Sequence, residues 1–320
     1  MRLFDIKKDT LTEVNSTPFK LEKDIQNLVE KNCERIFNCT FIETELTIGK
    51  YRLDSLCFDE ENNSFVIIEY KKGKSYSVID QGYTYLQLLL NNKSEFILTL
   101  SQYFNKVLKV DDVDWSQSKV VFVSPSFNSY QKDSINFKNL PFELWEINRF
   151  SNGTVTFDKH TSDSKVSIDS ISNSKNKNII DSVSKEVKVS EKDDHTSKSE
   201  PDMVRKWEEL TQNFNDLEGF ELIPKPSYIT LSIMGKNVCY FQFRKKSISI
   251  IIERGNIQSD GTKSKNFFDI EDPMNITQEK SWEWKSGVKG NRYVIPITLN
   301  SDIDYLTFLV KQKIKILVSN

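Results

Sequence analysis

Histidine is nearly absent from this 320-residue chain, which has only His160 and His195. Both fall in a stretch that reads as unfolded. That argues against Ser-His-Asp and Cys-His nucleophilic catalysis and against zinc sites built on imidazole. Cysteine is scarce too. Cys33, Cys39, Cys57 and Cys239 show no C-x-x-C spacing, so neither a zinc ribbon nor a disulfide framework is expected. Reduced, buried thiols are expected instead. There is no Gly-x-x-x-x-Gly-Lys-Ser/Thr loop and no Gly-x-Gly-x-x-Gly, which excludes the usual ATPase and nicotinamide signatures. No apolar run reaches membrane-span length, and Met1-Arg2-Leu3-Phe4-Asp5-Ile6-Lys7-Lys8 has no signal-peptide core. A cytoplasmic protein is expected. Nor is there an excess of charge of one sign. With 44 Lys and Arg against 46 Asp and Glu, the net charge is −2. Such a chain does not coat nucleic acid nonspecifically, so any contact needs a local basic surface.

The most informative feature present is Glu69-Tyr70-Lys71, at the end of the apolar run Phe65-Val66-Ile67-Ile68. The run is short and β-branched, and it follows the turn-like Asp59-Glu60-Glu61-Asn62-Asn63-Ser64, which predicts a largely buried strand. Side chains alternate along a strand, so Glu69 and Lys71 point to one face. Charges at the end of a buried strand are costly to desolvate unless paired or set beside a metal. Upstream, Tyr51-Arg52-Leu53-Asp54-Ser55-Leu56-Cys57-Phe58 also reads as a strand. An antiparallel hairpin would bring Asp54 close to Glu69. Downstream, Ser77-Val78-Ile79-Asp80 reads as a helix start, with Gln81 and Tyr85 on one helical face.

Two carboxylates, a lysine and a polar helix face suit divalent-metal phosphodiester hydrolysis. Mg²⁺ prefers oxygen ligands, keeps several waters and bonds to substrate phosphate. A lysine beside it can orient water or neutralise charge on phosphate. The competing readings are plainer. Glu69 and Lys71 could be a surface pair, Asp54 and Glu22 solvated, and Tyr85 a core residue beside Leu86 and Leu89. The basic cluster Lys71-Lys72-Gly73-Lys74 could be a soluble loop, but its place beside the site favours contact with a nucleic-acid backbone.

Asp54, Glu69-x-Lys71 and Gln81-x-x-x-Tyr85 together resemble the PD-(D/E)XK nuclease superfamily. The Gln-x-x-x-Tyr element looks like the branch of RecB-type exonucleases and archaeal mismatch or flap endonucleases. Phe19 to Glu30, Tyr51 to Leu56, Val66 to Lys72 and Ser77 to Tyr83 look like a bacterial subgroup of uncharacterised nucleases with an extra C-terminal domain. The resemblance covers roughly residues 17 to 150. It implies Asp54 and Glu69 as ligands of Mg²⁺ (or Mn²⁺), Lys71 as the catalytic lysine, and Gln81 and Tyr85 as groups that position phosphate or the neighbouring side chains. An acidic residue of the first helix completes many such sites. Glu22 matches best, with Glu30 as the alternative. Leu53 stands where the name-giving proline would be.

The expected fold class is α/β: a restriction-endonuclease-like mixed sheet flanked by helices, plus a small α+β C-terminal domain. A helix is predicted to open at Thr17-Pro18, with an apolar stripe of Leu21, Ile25, Leu28, Val29, Cys33 and Ile36. Strands are expected near 40 to 48, 51 to 58, 65 to 70, 119 to 124 and 142 to 147. Phe96 to Leu100 reads as a short apolar segment, with a helix over Tyr103 to Val107. Residues 1 to 158 form the expected nuclease-like domain. Residues 159 to 200 contain no aromatic residue and no Leu, the composition of a flexible tether.

Residues 201 to 320 are the expected accessory domain, with helices near 203 to 210 and 303 to 316 and strands near 228 to 233, 238 to 244, 247 to 253 and 293 to 297. Arg244-Lys245-Lys246 and Trp282-Glu283-Trp284-Lys285, with Lys289, Arg292 and Tyr293, could meet nucleic acid by stacking and phosphate contacts; the plainer and commoner reading is that such aromatics are core and such lysines solvated. A protein partner or a second copy is the competing expectation for this domain. The function expected for the chain is metal-dependent phosphodiester hydrolysis, of DNA first, in repair or defence. The alternatives are a nuclease fold that binds nucleic acid without cutting it, and a protein-interaction scaffold.

Overall fold

The computed structural model describes residues 2–72, 78–135, 140–160, 183–184, 186–187, 189–257, 263, 267–283 and 289–318. The chain divides into two compact units, Met1–Val189 and Ser190–Asn320. Among the described residues no helix is long and apolar enough to cross a membrane.

The first unit opens with a hairpin of β1 (Leu3–Lys7) and β2 (Thr10–Val14). Its two-residue turn, Lys8 and Asp9, has both φ angles positive, as the tightest hairpin turns require. Then come α1 (Glu22–Glu30), α2 (Cys33–Phe37), β3 (Thr40–Thr44), β4 (Thr47–Ile48), β5 (Tyr51–Arg52), β6 (Ser55–Asp59) and β7 (Ser64–Tyr70). They are followed by α3 (Val78–Asn91), α4 (Lys93–Tyr103), β8 (Lys119–Ser124), α5 (Ser129–Ser134), β9 (Phe142–Arg149) and β10 (Val155–His160). The central sheet has the order β10-β9-β8-β7-β6-β3. The β6–β7 pair is antiparallel, β7–β8 and β8–β9 are parallel, and β9–β10 is antiparallel. This is the mixed sheet flanked by helices that the sequence predicts.

Alternation along β7 sorts its side chains between two cores. Phe65 and Ile67 face the core that holds Leu86 and Leu89 of α3 and Phe96 of α4. Val66, Ile68 and Tyr70 face the core that holds Ile25 and Val29 of α1 and Cys33 of α2. Glu69 shares the parity of Phe65 and Ile67, so it points to the α3 side. Leu56 and Phe58 of β6 lie on that side as well, and Asp54 continues their parity.

Several boundaries differ from the sequence reading. The first helix begins at Glu22, not at Thr17-Pro18, and Leu21 is its exposed N-cap. Asp24 accepts a hydrogen bond from the Leu21 N–H, which sets the start one turn later. The chain then turns, and α2 ends on Asn38 in the left-handed conformation. Phe96, Ile97 and Leu100 are not a short separate segment but the buried stripe of α4, which ends at Tyr103. Their spacing is helical. Leu3–Val14 form a hairpin, and β10 adds an edge strand ending at His160.

The 159–200 stretch meets the described residues only at its flanks, and 161–182 lie outside them. Val183 and Val187 are buried in the first unit's core, while α6 (Asp193–Thr196) belongs to the second unit. His195 is 1% exposed and bonds the Lys225 carbonyl through Nε2 at 2.6 Å. Neither histidine therefore lies in unfolded chain. Burial lowers the pKa of His195, as expected for an imidazole kept from water.

The second unit continues with α7 (Pro201–Gln212), β11 (Phe220–Pro224), β12 (Ile229–Ile233), β13 (Lys236–Arg244), β14 (Ser247–Ile257), β15 (Gln278–Glu283), β16 (Lys289–Ile297) and α8 (Ile303–Val318). Its sheet has the order β11-β12-β13-β14-β16-β15, antiparallel throughout. Trp207, Phe241, Ile250 and Leu309 lie in its core. This is the small α+β domain expected.

Candidate active site

Glu69 is 4% exposed. Its Oε1 accepts from Lys71 Nζ at 2.6 Å and from Gln81 Nε2 at 2.8 Å. Lys71 follows β7 and extends its parallel pairing, its N–H donating to the Val123 carbonyl at 2.9 Å. Glu69 and Lys71 are therefore a largely buried pair, not a surface one. The other carboxylate oxygen, Oε2, is buried and meets no donor in hydrogen-bond geometry among the described residues, while the Tyr85 hydroxyl interacts with this carboxylate and favours its charged form.

Asp54 immediately precedes β6. Its Oδ2 accepts from the Tyr70 N–H at 3.0 Å, which fixes it at the mouth of the hairpin. Burial raises the pKa of Asp54, and the negative charge of Glu22 adds to this; the Tyr70 N–H and Lys71 oppose the rise. Glu69 is raised as well, first by burial and then by the charge of Asp54, with Lys71 acting against it. The charge of Asp54 thus bears on Glu69 in a poorly solvated place.

Gln81 and Tyr85 stand one turn apart on α3. Gln81 Nε2 donates to both Glu69 Oε1 and the Tyr85 hydroxyl, at 2.8 and 2.9 Å. Tyr85 also lines the α3-side core, so the core reading and the site reading both apply to it. Burial and the nearby Glu69 charge push its phenol upward. The N-cap expected at Ser77, and Gly73 and Lys74 of the basic cluster, lie outside the described residues.

Glu22 and Glu30 part company. Glu22, in the first turn of α1, accepts the Lys72 N–H on Oε1 at 2.7 Å, and its charge reaches Asp54. Glu30, two turns later, lies on the α1 side of the sheet. There its Oε1 accepts from Gln26 Nε2, Thr44 Oγ1 and Ser55 Oγ at 2.8, 2.9 and 2.7 Å. Among the described residues no group of three or more His, Cys, Asp and Glu side chains is arranged to hold a metal ion. Asp54, Glu69 and Glu22 therefore do not form a three-carboxylate cage.

The remaining donor set still fits Mg²⁺. That ion is often held by one or two carboxylates and takes waters and substrate phosphate for the rest. A buried carboxylate oxygen without a donor, beside a second carboxylate of raised pKa, is the environment a cation relieves. Sequence reasoning missed Gln26, which is 5% exposed and donates through Nε2 to the Asp54 carbonyl at 2.8 Å. The available signal was the i, i+4, i+8 spacing of Glu22, Gln26 and Glu30, which places all three on one helical face.

In the second unit, Arg244, Lys245 and Lys246 are exposed around the β13–β14 turn. Tyr293 is buried in the core, the plainer of its two readings, because its parity on β16 matches that of Ile295 and Ile297. Trp282 lies over Gly290, where a Cβ would come within 2.4 Å of its ring. Its indole N–H donates to Glu253. Trp284 and Lys285 lie outside the described residues.

No family model matches the chain. An uncharacterized protein of Haemophilus influenzae is 37% identical over 318 residues, spanning 98% of this chain and 100% of that protein. Three solved structures are similar over part of the chain. A repair endonuclease from Pyrococcus abyssi is 17% identical, covering 41% of this chain and 49% of its own, with TM-score 0.24. EndoMS, in a structure with double-stranded DNA, is 15% identical, covering 46% and 64%, with TM-score 0.22. SfsA of Pyrococcus furiosus, in complex with Ca²⁺, is 13% identical, covering 44% and 62%, with TM-score 0.24. The chain thus spans about half to just under two thirds of the length of these three proteins.

Proposed function

We propose that this chain, which belongs to the same family as the uncharacterized Haemophilus influenzae protein, is a metal-dependent nuclease that hydrolyses phosphodiester bonds in DNA. The observation that carries this reading is the buried Oε2 of Glu69, without a donor in hydrogen-bond geometry among the described residues, beside Asp54 and with Lys71 held on the other oxygen. Asp54 and Glu69 would hold Mg²⁺ or Mn²⁺. Such a cation, when bound, polarises phosphate and makes water a better nucleophile. The chain's own groups supply the rest. Lys71 stands on Glu69 with an ammonium that can donate to a phosphate oxygen or orient a water, and so offset negative charge as it develops. Gln81 holds Oε1 of Glu69 and fixes the rotation of that carboxylate. The Tyr70 N–H does the same for Asp54.

The test is a cleavage screen. Purified protein is incubated with single- and double-stranded DNA and RNA, with Mg²⁺, with Mn²⁺ and with EDTA. Cleavage of DNA that requires the cation supports the reading. Metal-tolerant binding without any cleavage would replace it with a nucleic-acid-binding module on a nuclease-like fold.

A further inference from the structure

Behind the carboxylate pair, on the α1 side of the sheet, lies a connected set of polar groups that the reaction does not use: Gln26, Ser55 and Tyr70 are buried, Glu30 is half-buried and Thr44 is exposed. Gln26 is at its centre. Its amide Nε2 lies 2.8 Å from the Asp54 carbonyl, 2.8 Å from Glu30 Oε1 and 3.1 Å from Thr44 Oγ1. The amide has two hydrogens, which the Asp54 carbonyl and the Glu30 carboxylate take. Thr44 then donates its own hydroxyl to Glu30. Ser55 also donates to Glu30 Oε1, at 2.7 Å. A carboxylate only accepts, so the 3.0 Å contact between Ser55 Oγ and the Tyr70 hydroxyl must have Tyr70 as donor. The donors thus run in one direction, from Tyr70 through Ser55 to Glu30, and from Gln26 to both Glu30 and Asp54.

These bonds converge on the two positions that frame Asp54. Its carbonyl accepts from Gln26 and also from the Glu45 N–H, at 2.8 Å each. Its carboxylate accepts from the Tyr70 N–H. Tyr70 is itself tied through its hydroxyl to Ser55, the residue after Asp54. Asp54 sits just before β6 begins, where the main chain is held by the Glu45 N–H on the Asp54 carbonyl and by the Leu53 N–H on the Leu46 carbonyl. Without Gln26 its main chain has one grip fewer, and the side chain is free to turn with it.

We infer that Gln26, braced by Glu30, is a positioning residue that holds the Asp54 main chain so that its carboxylate faces Glu69. The inference rests on the reading of Asp54 and Glu69 as a cation site. Groups that orient metal ligands through hydrogen bonds commonly change metal affinity by about 10- to 100-fold when removed. Gln26 touches neither the cation nor the substrate.

The experiment compares wild type, Gln26→Met, Ser55→Ala and Thr44→Val by calorimetric titration with Mn²⁺, alongside melting temperatures in EDTA. Gln26→Met keeps the size of the side chain and deletes its donors. An affinity loss of about tenfold or more is expected. Ser55→Ala breaks the Tyr70–Ser55–Glu30 link and should weaken Mn²⁺ in the same direction. Thr44→Val removes a bond to Glu30 but none to Asp54, so it should keep wild-type affinity within about twofold, well below the tenfold effect expected of a lost orienting bond. Gln26→Met that binds Mn²⁺ like wild type overturns the inference; should that variant not fold, wild-type affinity in Ser55→Ala overturns it. Wild type that binds no Mn²⁺ overturns the cation site beneath it, and the two failures are thereby told apart. Equal losses in Thr44→Val and Gln26→Met would point to general loosening of α1 and overturn the specific role.

Discussion

The carboxylate of Asp54 accepts a hydrogen bond from the main-chain N–H of Tyr70 at 3.0 Å. That bond ties the residue before one strand to the last residue of its neighbour. It aims Asp54 at the side of the sheet where Glu69 lies, and the charge of Asp54 disfavours ionisation of Glu69 beyond what burial does. The chemical expectations follow from this arrangement.

Asp54→Ala and Glu69→Ala should abolish Mn²⁺ binding and with it DNA cleavage, because each removes ligand charge. Lys71→Ala should bind Mn²⁺ nearly as wild type does, yet cleave about 10²- to 10³-fold more slowly, the effect of losing one preorganised charge-stabilising donor. Cleavage rates read beside calorimetric titrations separate the two behaviours. Full activity in Glu69→Ala would sink the assignment.

The pKa of Asp54 is raised by burial and by Glu22. A group with a raised folded pKa favours folding when protonated and disfavours it when ionised. The metal-free protein should therefore gain stability from Asp54→Asn at pH values above the Asp54 titration, where the wild-type carboxylate is charged. The gain should shrink as pH falls through the Asp54 titration, because both side chains are then neutral. A gain of about 1 kcal/mol corresponds to roughly 2–4 °C in melting temperature for a unit of this size. Scans in EDTA at several pH values check it. A constant difference across pH, or a loss above that titration, would contradict the origin given for the shift.

Gly82 follows Gln81 on α3, where a Cβ would come within 2.6 Å of the Phe142 ring on β9. Phe142 is 6% exposed and stacks edge-on against Tyr83 at 4.9 Å. Gly82→Ala should therefore overpack this contact and destabilise the first unit by about 1–3 kcal/mol. The same displacement should move Gln81 off Glu69. Urea titration measures the first effect. An unchanged midpoint would mean that the ring gives way freely.

Residues 161–182 are rich in Ser, Lys, Asp and Asn and contain no aromatic residue or Leu. Limited proteolysis should cut there first and release two folded fragments close to Met1–Val189 and Ser190–Asn320. Mass spectrometry of the first products reads the position. An initial cut inside α3 or β13 would refute this division.

The hairpin of β6 and β7 and the placement of Glu69 and Lys71 on one face were legible in the sequence, because β-branched alternation carries its own period of two. The pairing of Gln81 with Tyr85 was legible from helical spacing. The strand cores of the second unit were legible for the same reason. Strands β10, β11 and β15 were not, since edge strands such as Gln278–Glu283 are mostly exposed and need no apolar alternation. The phase of α1 relative to the sheet was not legible either. Local spacing puts Glu22, Gln26 and Glu30 on one helical face, but only packing of Ile25 and Val29 against β7 decides which carboxylate reaches Lys72 and which is turned toward Ser55. Only the tertiary structure puts Lys71 and Gln81 together on one oxygen of Glu69, because that depends on groups from α3 and the end of β7 arriving together.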